Sequence, residues 1–179
     1  MEISIFLIMM CAAGYGVTMK IADLLNEHGL KWFSGSQILF GILWGIFGAL
    51  LIFFDTTIAN IILAMNLAFI VRNRLDYLNH QIAASIIIII FLFGGIFVPT
   101  LFLIFYAIFI VFGSLKDYVD DVLKKSGRLA TLNELMLYYP IPTLVYCMLY
   151  GNWPVFWIFL LYTAAYDVTK YSALRYGYV

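Results

Sequence analysis

Long runs of isoleucine, leucine, phenylalanine and alanine dominate this chain, broken at intervals by short charged or turn-forming stretches. Seven apolar segments stand out, at about 3–19, 36–54, 57–71, 82–96, 98–113, 135–150 and 153–168. Runs of this length and apolarity predict helices that cross a bilayer. Several fall short of the roughly 20 residues of an untilted span, which predicts tilt, local thinning or broken helices. Segments four and five read as two short spans with a tight turn, or as one long helix kinked around Gly94, Gly95 and Pro99. Gly41, Gly45 and Gly48 in the second segment predict close packing against a neighbouring helix.

Composition strengthens this reading. Of 179 residues, 65% are hydrophobic and only 11% charged. Soluble domains usually carry about a quarter charged residues, so so few cannot cover a water-facing surface and lipid must cover much of it. The expected fold is an all-α polytopic membrane protein. It is a bundle of about seven transmembrane helices in one domain, 1–179, and an integral, multi-pass cell-membrane protein. The N-terminal stretch has no positive n-region and no small-residue cleavage site, so it reads as a retained span. Cys11 and Cys147 lie inside apolar runs and read as buried small side chains. The formal net charge is zero, which argues against a nucleic-acid partner.

The charges are distributed unevenly. All ten basic residues fall after segments one, three and five or in the C-terminal tail. The opposite connections, around Asp55–Thr56, Phe97–Pro99 and Gly151–Pro154, hold none. Lys and Arg favour the cytoplasmic side, which places the N-terminus outside and the C-terminus inside. Asn152, Trp153 and Pro154 read as an interfacial turn with an aromatic anchor.

Three inward connections mix acids, bases and amides. They run from Lys20 to Gly35, from Arg72 to Gln81 and from Lys116 to Arg128. If the third continues helically, Asp117, Asp120, Asp121 and Lys124 share one face. Clustered carboxylates repel one another unless a cation sits between them, and hard oxygen donors suit Mg2+ completed by substrate phosphates. Lys124 and Arg128 are placed to hold such phosphates. A solvated helix with ordinary surface ion pairs explains the same spacing. His28 and His80 have no metal-binding spacing and read as interfacial, hydrogen-bonding histidines.

At these connections the chain resembles the UbiA superfamily of intramembrane prenyltransferases. Lys116-Asp117-x-x-Asp120, then Gly127 and Thr131-Leu132, resembles that family's second aspartate-rich motif. Asp23-x-x-Asn26, then Ser34-Gly35, resembles the end of its first motif. Arg72 and Arg74 stand where the family carries a basic, diphosphate-holding loop. Lys20 lies where the first motif usually carries an acid, Lys124 takes the place of the third acid of the second, and Asn133 replaces its proline. The chain also looks about one helix short at each end. The resemblance implies a Mg2+-dependent prenyltransferase acting on a polyprenyl diphosphate. It implies Asp117, Asp120 and Asp23 as catalytic residues, with Asp121 joining them as metal ligands. It implies Arg72, Arg74, Lys116, Lys124, Arg128 and Asn26 as diphosphate contacts. Asp120-Asp121-x-x-Lys124 also looks like the DDxxK of polyprenyl-phosphate sugar-phosphate transferases, whose other motifs are missing.

The alternatives are a non-catalytic membrane subunit and a small transporter component. Few midspan polar residues, chiefly Asn66, Ser85 and Thr100, weigh against a transporter. Expected partners are membrane lipid, an isoprenoid diphosphate, and partner subunits or further copies of the chain.

Overall fold

A computed structural model describes residues 5–26, 30, 32–119 and 140–175, the side chain of Leu174 excepted. Among them the chain is helical throughout, with no strand. Seven helices follow in order: α1 (Ile5–Asn26), α2 (Ser36–Ile52), α3 (Thr56–Val71), α4 (Leu78–Gly94), α5 (Pro99–Asp117), α6 (Pro140–Tyr150) and α7 (Trp153–Arg175). Each overlaps one predicted apolar segment, with 135–139 of the sixth lying outside the described residues. α1 and α5 are long and apolar enough to cross a membrane, while α2, α3, α4 and α6 are shorter apolar helices.

α3 is the innermost helix. Its sequence is apolar on nearly every face, and Thr57–Asn66, Ala68 and Phe69 are all buried. A helix apolar all round must be enclosed by others. α5 packs against it through one ridge, Phe105, Phe109 and Gly113, at successive i+4 spacings. α1 packs on α2 and α7, and α2 packs on α4. The α2–α4 approach depends on glycine, since a Cβ on Gly41 would fall 2.6 Å from the Asn79 carbonyl oxygen and one on Gly48 2.6 Å from Ile87 Cδ1.

The chain turns where local chemistry requires it. Asp55 caps α3, its carboxylate accepting from the amides of Thr57 at 2.7 Å and Ile58 at 3.1 Å. Segments four and five are two helices. Gly95 is extended, Pro99 opens α5, and Asn60 of α3 clips the link between them. Asn60 Nδ2 donates to the Ile96 carbonyl and its Oδ1 accepts from the Val98 amide. Between α6 and α7, Gly151 takes a φ of 77°, which suits a residue without Cβ. Asn152 beside it donates to Asp55.

These links sort the helix ends into two poles. One gathers Asp55, Asn60, Ile96, Val98 and Asn152. The other gathers the ends of α1, α3 and α5 and the start of α4, where Asn79 donates to the Ala22 carbonyl and Arg72 meets Asp117. Lys20, Arg72, Arg74 and Lys116 lie at this second pole.

Two boundaries differ from the sequence reading. Lys20–Asn26 is the last stretch of α1, and Leu78–Gln81 the first turn of α4. Both read as loop because their charges interrupt the apolar run. In the bundle Lys20, Asp23, Asn79 and His80 are buried because they satisfy one another and the backbone across helices.

Candidate functional site: two ion-pair clusters at one pole

The first cluster grows from the end of α3. Arg72 is its last capping residue, and Asn73 takes the left-handed conformation at φ 56°. The Asn73 amide then donates to the Ile70 carbonyl and the Arg74 amide to Phe69. This is a Schellman turn, with asparagine where glycine is more usual. Asparagine is among the few side chains that tolerate this backbone. The turn presents the two flanking arginines to the last turn of α5.

There they converge on Asp117. Arg72 donates from Nε to Oδ2 at 2.9 Å and from Nη2 to Oδ1 at 2.7 Å. Arg74 Nη2 lies 2.8 Å from Oδ1. Such a two-pronged pairing is among the stronger ion-pair geometries. Arg72 is nearly enclosed, while Arg74 and Asp117 keep access to water. The Arg72 guanidinium lies across Gly113, where a Cβ would collide with it. Lys116 precedes Asp117, half-buried, and Tyr118 follows it, exposed.

The second cluster joins α1, α4 and α7. Tyr166 donates its hydroxyl to Asp23 Oδ2 at 2.8 Å. His80 Nε2 lies 3.2 Å from Asp23 Oδ1, and Lys20 Nζ 3.7 Å from Oδ2. Lys20 also sits over the Tyr166 ring, 5.1 Å from its centre. Tyr77 and Trp44 each meet the His80 ring edge-on. Three helices are therefore held together through one carboxylate.

Of the residues singled out from sequence, Arg72, Arg74 and Asp117 come together as one site. Asp23 takes a different set of partners, and Asn26 closes α1, half-buried. Asp120, Asp121, Lys124 and Arg128 lie outside the described residues, as does His28. Tyr166 was missed, because a tyrosine in an apolar run carries no charge signal. Its place two turns or more before the end of α7, level with Asp23, shows only in three dimensions. Comparison with family models, curated proteins and solved structures finds no match for this chain.

The described residues do not by themselves fit a Mg2+ ion. Both oxygens of Asp117 are engaged by arginine, and no group of three or more histidine, cysteine, aspartate or glutamate side chains forms among the described residues. A carboxylate held this way serves first to orient the guanidinium groups. What the cluster offers chemically is two arginines fixed side by side at the second pole, the arrangement that receives phosphate oxygens.

Proposed function

We propose that this chain is a multi-pass membrane protein, N-terminus outside and C-terminus inside, that handles an isoprenoid diphosphate at its charged pole as a prenyltransferase-like protein. The Arg72–Asn73–Arg74 turn carries the reading. It fixes two guanidinium groups at a pole rich in charge, beside a bundle whose outer surface is apolar.

The membrane part rests on an inverted distribution of polarity. Large apolar side chains stand exposed along α1, α2, α4, α5 and α6, including Phe6, Ile46, Phe93, Leu103 and Leu149. The interior holds Lys20, Asp23, Asn60, Asn66, Asn79 and His80. Water would reverse that arrangement, whereas lipid favours it. The 17 residues of α2 span about 25 Å, so the short helices match a locally thinned bilayer. Single cysteines placed at Asp76 and at Phe97 are expected to label from opposite sides of sealed, oriented vesicles. Labelling of both from one side would remove the topology.

At the site, Arg72 and Arg74 bind phosphate oxygens when they turn from Asp117, and Asp117 holds them in place until then. Mg2+, if used, draws on Asp120 and Asp121 outside the described residues. The test is Mg2+-dependent release of diphosphate from geranylgeranyl diphosphate by the purified protein in nanodiscs. Release is expected from the parent, with a loss of tenfold or more in Asp117→Asn and Asp120→Ala. No release, or release indifferent to both substitutions, removes the enzymatic reading.

A second reading, a non-catalytic membrane subunit, is favoured by one observation. Asp117 and Asp23 are both already neutralised by this chain's own cations. Under it, mass spectrometry of the purified protein finds bulk phospholipid and no isoprenoid diphosphate.

A further inference from the structure

The carboxylate of Asp117 sits where the oxygens of a bound phosphoryl group would sit. Its Oδ2 accepts from Arg72 Nε at 2.9 Å. Its Oδ1 accepts from Arg72 Nη2 at 2.7 Å and lies 2.8 Å from Arg74 Nη2, so one oxygen serves both arginines. Arg72 is seated by more than this carboxylate. Its guanidinium crosses Gly113 and lies 5.9 Å from the centre of the Phe69 ring.

α5 itself is anchored unevenly. Its start is fixed, because Asn60 clips the Ile96–Val98 link and Pro99 opens the helix. Phe105 and Phe109 are buried along its length. Beyond Gly113 the apolar side chains of the last turn, Leu115 and Tyr118, stand 44% and 51% exposed. Asp117 reaches from that turn to the end of α3. An ion pair therefore ties the last turn down where apolar burial does not.

A phosphoryl group competing for this seat has the advantage, since it brings three acceptor oxygens and a charge of about −1.5 to −2. Each arginine then has an oxygen of its own. The Arg72 side chain is only 6% exposed, and a buried guanidinium left without an anion is costly. The carboxylate therefore leaves as the incoming anion arrives. We propose that Asp117 is an internal stand-in for a phosphoryl group. A diphosphate displaces its carboxylate from Arg72 and Arg74, and the last turn of α5 is freed to swing about the fixed start of the helix. This autoinhibitory contact rests on the reading of the pole as a diphosphate site and gives that site its regulation. Ligand binding and release of α5 are then coupled, and the coupling is reciprocal: weakening the Asp117 contact strengthens diphosphate binding.

The probe is inorganic pyrophosphate, added to the full chain in nanodiscs. Cysteines introduced at the exposed Leu115 of α5 and Leu78 of α4 carry spin labels, while the native Cys11 and Cys147 are buried. Dipolar coupling between the labels reads the separation of the α5 end from the α3–α4 corner. Pyrophosphate is expected to lengthen that distance in the parent, saturating over the same concentrations as its binding by calorimetry. Asp117→Asn is expected to show the longer distance without pyrophosphate, and to bind it about tenfold more tightly. A carboxylate that only positions the arginines gives the opposite sign, weaker binding. Binding to the parent with an unchanged distance overturns the displacement without recourse to any variant. Weaker binding by Asp117→Asn overturns it as well. Either result leaves the diphosphate reading standing. No binding of pyrophosphate to the parent overturns that reading and this inference with it.

Discussion

Replacing Asp23 with alanine is expected to destabilise the bundle by about 3–5 kcal/mol, the usual cost of stranding a buried charge. Lys20 and Asp23 have side chains only 6% and 10% exposed. Without the carboxylate, the Lys20 ammonium is left inside the helix bundle with the Tyr166 ring and hydroxyl as company. Tyr166 and His80 lose their shared partner at the same time, which loosens α4 and α7 from α1. The double variant Lys20→Met, Asp23→Leu removes both charges together. It is expected to recover much of the loss, because a buried pair replaced by apolar side chains of similar size is often neutral. Unfolding followed by a steric trap in bicelles reads both effects. An unchanged stability in Asp23→Ala would mean that water reaches Lys20 and that the cluster ties nothing together.

Asp117→Ala is the second large effect, expected at about 2–3 kcal/mol. It falls below the figure for a sealed pair because Asp117 and Arg74 retain access to water, which screens them. Arg72 is the partner that suffers, with a side chain 6% exposed and pressed over Gly113. Arg72→Lys keeps the charge but loses the two-pronged geometry, so it is expected to cost about half as much. The same unfolding measurement checks both. Equal losses in Arg72→Lys and Asp117→Ala would show that the fork geometry, rather than the charge, holds α3 to α5.

The pairing of Arg72 and Arg74 with Asp117 was partly legible beforehand. Two arginines around an asparagine after an apolar segment, and an aspartate after another, are visible as charge at helix ends. Their convergence was not, because a left-handed Asn73 has no unambiguous signature and α3 must first pack on α5. Asp23 and His80 were legible as charged and polar residues, yet as loop residues. Linear reading places ionisable groups in water because an isolated charge is costly in an apolar interior. Here it is not isolated. The midspan polar residues read from sequence fared unevenly: Asn66 is buried as placed and Ser85 is exposed, whereas Asn60, which clips the link between α4 and α5 and went uncounted, lies inside.

The number of helices among the described residues, their places along the chain and the gathering of basic residues in alternate connections followed from the sequence by itself. Each is a property of local composition, decided over one or two dozen neighbouring residues. Which carboxylate meets which cation, and which polar side chains end up inside the bundle, belonged to the tertiary structure alone. Those contacts join residues as far apart as Lys20 and Tyr166. They depend on the rotation and depth of each helix against its neighbours, which close approaches such as that of Gly41 to Asn79 set and no single segment records.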